Sequence, residues 1–219
     1  MNQDDVSYRR LREAIASGEL MPSERLVETG LADSLGVGRA AIRTAIARLA
    51  QERLVERIPN RGARVRRVSD EEALEVLEVR MAIEAFAVRR AALNATADDI
   101  RKLKRILTDM EAFSKSGNTA GFGETNSAFH QELLRISRHA TAARVLETLL
   151  SHRFQLQGLT TPTDPLRRLD EHIRILNAVE TKDADAAERE MRSHLYGVVE
   201  RWRGRAMATR PRRLRKIAP

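Results

Sequence analysis

The 219-residue chain contains no cysteine. Disulfides, thiolate-ligated zinc and a thiol nucleophile are therefore excluded, and a cytoplasmic protein is expected. Any transition-metal site must use histidine, carboxylate or carbonyl ligands. Aromatics are scarce, with one Trp, two Tyr and five Phe, so a platform stacking successive bases of a single strand is not expected. There is no run of about eighteen apolar residues, which argues against a membrane span or a membrane partner. The opening MNQDDVSYRR lacks the apolar stretch of a signal peptide.

What is present is charge, unevenly spread. Residues 1–68 hold 13 Arg and no Lys against 9 acidic residues, and within them residues 39–67 hold 9 Arg against 2 Glu. Residues 69–200 hold 18 basic and 22 acidic residues, whereas residues 201–219 hold 8 basic and no acidic ones. A basic stripe joined to an acidic body fits a nucleic-acid-binding head on a module of another kind. A solvated basic surface would give the same charge balance.

Apolar periodicity divides the chain further. A first helix is expected over Val6–Ser17, a second over Glu24–Leu35 stopped by Gly36, and a third over Arg39–Glu52 with Ile42, Ile46 and Leu49 facing inward. RLVERI and ARVRRV around PNRG read as a hairpin. Three helices and a hairpin within residues 1–68 make a winged helix-turn-helix. From Ser69, a capping residue with Glu72 three positions on, only helices are expected. They cover Ser69 onward, TADDIRKLKRIL with Thr96 as cap, Ala120–Ile136, Thr141–Leu156, Leu166–Glu180 behind an Asp164 cap, and Asp183–Arg205. The fold class is mostly α: the winged head followed by an all-α bundle over residues 69–206. Residues 207–219 are basic, lack an apolar face and are expected to be disordered, either a solubilising end or a source of phosphate contacts.

In a helix-turn-helix, the second helix of the motif enters the major groove with its N-terminal side chains on base edges. Arg39 and Arg43 sit one turn apart there, and Arg61, Gly62 and Arg64 lie in the wing. Arginine can bridge guanine or grip phosphate, and glycine lets a wing tip approach the backbone closely. An arginine pair is also what an ordinary solvated helix face presents. The full string GELMPSERLVETGLADSLGVGRAAIRTAIARLAQERLVERIPNRGARV, within residues 18–65, resembles the GntR family of bacterial transcription regulators. The resemblance implies DNA contacts by Arg39, Arg43 and the wing around Gly62. Ser23, Gly38, Ala41 and Thr44 depart from the family pattern. Gly38 forgoes a side-chain cap at a cost of only a few tenths of a kcal/mol, so altered operator preference is expected rather than loss of binding.

In the body, LEVRMAIEAFAVRRAA, NSAFH, DEHIRILNAV and MRSHL resemble the FCD effector domain of the FadR branch. Six helices are similar to the shorter VanR-like subgroup. The resemblance implies metal ligation by Asn126, His130, His172 and His194. The residues themselves allow this reading. Asn126 and His130 share a helix face, and the other two histidines sit on two further helices. Converging buried imidazoles are costly unless paired, and a divalent ion resolves the cost: zinc first, with nickel, manganese or iron also suited. Separate core histidines, each bonded to backbone, are the alternative. Asn126 offers an amide dipole where many members carry aspartate, which weakens metal retention and favours an anionic ligand. The effector is therefore expected to be a small organic acid bound at the metal, with Arg80 either assisting or merely pairing with Glu84. His139 and His152 match no family position.

A ligand-responsive regulator, a repressor by family habit, is thus expected to bind double-stranded operator DNA of inverted-repeat form as a homodimer. Two rivals remain open at this point. One is a metal-dependent hydrolase, with Glu171 as a conceivable base although it points about 100° from His172 and H-E-x-x-H is absent. The other is a protein that coats DNA without regard to sequence.

Overall fold

The computed structural model describes residues 2–58, 62–149 and 165–209, the last five by backbone alone. The head holds α1 (Gln3–Ser17), β1 (Arg25–Leu26), α2 (Glu28–Leu35), α3 (Arg39–Gln51), β2 (Val55–Ile58) and β3 (Gly62–Val65). The body holds α4 (Asp70–Asn94), α5 (Ala97–Ser116), α6 (Thr119–Ile136), α7 (Ala140–Leu149), α8 (Pro165–Glu180) and α9 (Ala184–Thr209).

Two hydrophobic cores form. One gathers Leu11, Ile15, Leu26, Ile42, Ile46, Leu49, Leu54 and Val65. Here α1 packs on α3, and the inward face expected for α3 is fully buried. The other runs from Ala73 to Trp202, with α9 lying along α4, α5 against α6 and α8, and α8 against α9. Arg66 grips both oxygens of Glu72, and Arg12 meets Glu147 at 3.2 Å, so ion pairs tie head to body.

Four expectations need correction. The second helix starts at Glu28, not Glu24, because Arg25 and Leu26 form a strand opposite Arg64 and Ala63. The sheet is three-stranded and antiparallel in the order β1-β3-β2. Two residues are too few to show an alternating pattern, and only the distant wing supplies their partner. The first helix begins earlier than expected, since the Asn2 side chain accepts from the Asp4 N–H and caps it. The last helix continues to Thr209 through Ala206, Met207 and Ala208, good helix formers. Residues 207–209 are thus helical where a disordered tail was expected, and residues 210–219 lie outside the described residues. So do Asp164, His152 and the remainder of the expected Thr141–Leu156 helix. Six body helices are present among the described residues.

Thr96 caps α5 as expected, and Asp99 returns the bond to the Thr96 N–H at 2.9 Å. The Thr96 backbone bond holds the Asp99 carboxyl down at about 2, against a smaller opposing effect of burial, with Arg135 also favouring the charged form. Thr96→Ala should cost about 1 kcal/mol in urea unfolding. Because the folded pKa is depressed, the stability from Asp99 is whole above about pH 4 and is lost as pH falls towards 2. The gap between wild type and Asp99→Asn should therefore close over that window.

Candidate functional site

α3 presents its two N-terminal arginines on its outer face. Gly38 precedes α3 with no side-chain cap, and Arg39 and Arg43 are exposed. Arg43 Nη2 lies 3.3 Å from Glu28 Oε2 on α2. Arg64 on β3 pairs with Glu56 at 2.6 Å. Gly62 opens β3 at φ +87, a left-handed conformation that disfavours any side chain. Arg61 lies outside the described residues. An open groove of about 380 Å³ runs between Arg43, Glu28, Leu26, Arg57 and Gly62.

Within the body, α6, α8 and α9 bring His130, His172 and His194 together. One ring nitrogen of each lies within 4.8 Å of the others. The rings of His172 and His194 are 4.5 Å apart, and Phe129 closes the cluster edge-on to His172 at 5.0 Å. All three histidines are buried, His172 completely.

Each imidazole is anchored through Nδ1. His172 Nδ1 is 2.7 Å from the Arg168 carbonyl, which can only accept, so Nδ1 carries the hydrogen and Nε2 the lone pair. His130 Nδ1 lies 2.5 Å from Glu84 Oε2, and His194 Nδ1 lies 2.9 Å from Glu171 Oε2. Carboxylate or carbonyl behind Nδ1 is the arrangement that orients a metal-binding imidazole and raises its basicity. Arg168 Nη1 lies 3.4 and 3.5 Å from the two His194 nitrogens, within hydrogen-bonding reach of the Nε2 lone pair.

The Nε2 atom of His172 is buried with no hydrogen-bond partner. An acceptor left so costs about 1–3 kcal/mol. Burial pushes His172 and His194 well below the ordinary imidazole range, and the neighbouring histidines add to the effect, so both stay neutral. Three converging imidazoles with anchored backs are the donor set a divalent ion requires, and the residues fit one.

Glu84 and Glu171, named from the sequence only as Arg80's partner and as a conceivable base, bond His130 and His194, a role that sequence reasoning missed. Glu84 takes Arg80 Nε on one oxygen at 2.5 Å and His130 on the other. Burial alone would raise its carboxyl, but Arg80 and His130 outweigh that and hold it at about 2. The Arg80–Glu84 pair is therefore a buried brace of the histidine site rather than a weak surface pair. Glu171 does face away from the lone pair of His172, as its position implied, and serves His194 instead. The Glu–His adjacency in DEHIRIL was the one signal for it. Asn126 lies one turn before His130, half-buried, with no hydrogen-bond partner for its amide among the described residues. His139 accepts from the Ala142 N–H at 3.0 Å and helps start α7, away from the cluster.

Comparison with known proteins agrees with this architecture. Residues 5–65 match the bacterial regulatory proteins of the gntR family, and residues 75–197 match the FCD domain. The chain is 30% identical over 208 residues to an uncharacterized HTH-type transcriptional regulator in an unstable DNA locus of Streptomyces ambofaciens, spanning 91% of this chain and 84% of that protein. It is 29% identical over 195 residues to the HTH-type transcriptional repressor RspR of Escherichia coli K12, spanning 88% and 86%. The solved structure of Escherichia coli McbR/YncC shares the fold at a TM-score of 0.76 and 20% identity, covering 95% of this chain and 98% of that one. These relatives are regulators and not enzymes, which sets the hydrolase reading aside. A winged helix with exposed arginines, joined to a helical domain with a buried histidine cluster, belongs to the GntR family of transcription regulators carrying an FCD domain.

Proposed function

We propose that this protein is a repressor that binds an inverted-repeat operator as a homodimer and responds to a small carboxylate at a metal held by its FCD domain. The head, residues 1–68, would engage DNA through Arg39 and Arg43 in the major groove and through the wing at Arg61, Gly62 and Arg64. The body, residues 69–206, would dimerise and sense, and the whole would act in the cytoplasm. Val79, Phe86 and Leu93 support the homodimer: they repeat every seven residues along α4 and are exposed, an apolar stripe suited to a second copy.

The orphaned His172 Nε2 carries the effector reading. His130, His172 and His194 would hold the ion, zinc first among the divalent metals, with Asn126 offering an amide oxygen. The ion would supply a Lewis-acidic position for a carboxylate. Around it this chain's own residues set the charge. Asn126 contributes none where aspartate would contribute one, and Arg80, the effector-facing candidate from the sequence, would act mainly through its pair with Glu84 behind His130. No helix among the described residues is long and apolar enough to cross a membrane.

The same α4 that carries Arg80 and Glu84 begins beside the wing, where Glu72 grips Arg66. An effector that binds one placement of α4 better than another would bias the heads towards or away from the operator spacing. A protein that merely coats DNA would lack this linkage. Three measurements on one sample test the reading: sedimentation for the dimer, anisotropy on operator against random DNA at one salt concentration, and titration of carboxylates with and without chelator. A dimer, a preference for operator DNA and carboxylate binding lost on chelation are expected. Equal affinity for random DNA, or carboxylate binding unchanged in stripped protein, would sink it.

A further inference from the structure

The histidine cluster is surrounded by more positive charge than its carboxylates balance. Arg168 on α8 is almost wholly buried, at 6% exposure. Its nearest acid is Glu171, at 3.7 Å, whose same oxygen already takes His194 Nδ1 at 2.9 Å. Arg201 on α9 lies seven residues after His194 and therefore on nearly the same helix face. Its Nη2 is buried and has no hydrogen-bond partner. Gly197 keeps room for it: a side-chain carbon there would stand 3.4 Å from Arg201 Nη1.

Arg201 Nη1 and Arg167 Nη2 lie 3.4 and 3.9 Å from where a Gly197 side-chain carbon would stand, and Arg167 and Arg168 share the Glu171 carboxylate at 3.3 and 3.7 Å, so the guanidiniums crowd around one acid. After burial, Arg201 is the leading influence that lowers Arg168, to about 10. Like charges gathered in a low-dielectric interior, one with an idle donor, are expensive unless an anion is shared between them. Arg80 stands in the same field, but Glu84 neutralises it. Arg80, Arg167, Arg168 and Arg201 thus face Glu84 and Glu171 among the described residues, leaving two positive charges over before any metal is counted. A divalent ion on the histidines raises the excess to four. A monocarboxylate cancels one charge and leaves Arg201 idle.

We propose that Arg168 and Arg201 form a second anion locus beside the histidines, and that the effector is accordingly a small dianionic organic acid. The proposal rests on the metal-assisted carboxylate reading above and narrows its ligand. One anionic group meets the histidine side, and the other takes the guanidinium pair in charge-assisted, fork-like bonds that arginine geometry favours.

The zinc-loaded protein, titrated calorimetrically with matched pairs of acids, tests this. Malonate is set against propionate, succinate against butyrate, glutarate against valerate, and adipate against hexanoate. At least one dianion is expected to bind about ten- to a hundred-fold more tightly than its partner, the worth of a hydrogen bond to a charged group. In Arg201→Gln that ratio should fall to near one. Arg201 is half-buried, so this variant is the safer of the two to fold. Arg168→Gln should act in the same direction, and the wild-type ratio decides the matter without it. Equal affinities within every pair, or a ratio preserved in Arg201→Gln, overturn the second locus while leaving the metal-assisted reading intact. Failure of all eight acids to bind overturns that reading, and this one with it.

Discussion

His172→Ala is expected to empty the histidine site of metal and abolish the response to a carboxylate, while operator affinity without effector stays close to wild type. The His172 ring is completely buried and fixed by the Arg168 carbonyl, and its Nε2 has nothing else to bind. Its removal deletes one of three donors, and two imidazoles on separate helices do not retain a divalent ion well. The head is untouched, because its core and its arginines lie in other elements. Truncation of a buried ring also leaves a cavity, which costs a few kcal/mol. Glu84→Gln provides a gentler second variant. It keeps the shape but replaces the carboxylate behind His130 Nδ1 with an amide, and loss of such a partner typically weakens metal affinity by about ten- to a hundred-fold. Asn126→Asp should move the other way, since it adds the negative charge the site lacks. Elemental analysis after dialysis, with anisotropy on operator DNA, measures both halves. Zinc retained stoichiometrically by His172→Ala would refute the assignment. Chelation of wild type should likewise lower its melting temperature, because an ion present at 100 times its dissociation constant adds about 2.7 kcal/mol to the folded state.

Arg43→Ala should reduce operator affinity by about ten- to a hundred-fold, the range expected for one good arginine–base contact. Arg43 is 62% exposed on α3, and Glu28 holds it at 3.3 Å. An exposed ion pair of that kind is worth little and is readily surrendered to DNA. Its partner sits where phosphates would approach, so Glu28→Gln should strengthen binding slightly by removing a competing acid. The form of the loss identifies the contact. A base contact relaxes specificity at one position of the site, whereas a phosphate contact weakens all sequences alike and lowers the salt slope by about one. Anisotropy on sites selected from random DNA, at several salt concentrations, separates the two. Unchanged affinity in Arg43→Ala would remove α3 from the interface.

Much of the architecture was legible from local pattern. Ile42, Ile46 and Leu49 announced the buried face of α3, Gly36 its preceding stop, and Thr96 the start of α5. The histidines were legible because their spacing and apolar neighbours resemble the FCD motifs. Arg25 and Leu26 were not, since a two-residue strand exists only through its partner β3.

The sequence by itself determined the fold class, the placement of arginine on the outer face of α3, and which histidines could meet. The first two follow from helical period and capping chemistry, which act within a few residues, and the third from the resemblance to the FCD motifs. The tertiary structure alone decided what stands behind each imidazole. Glu84 reaches His130 from 46 positions away, and Glu171 reaches His194 from 23. It also decided that Arg168 is buried against His194 rather than in water. Such pairings depend on which helix faces pack together, and a periodicity read along one helix carries no information about the face opposite.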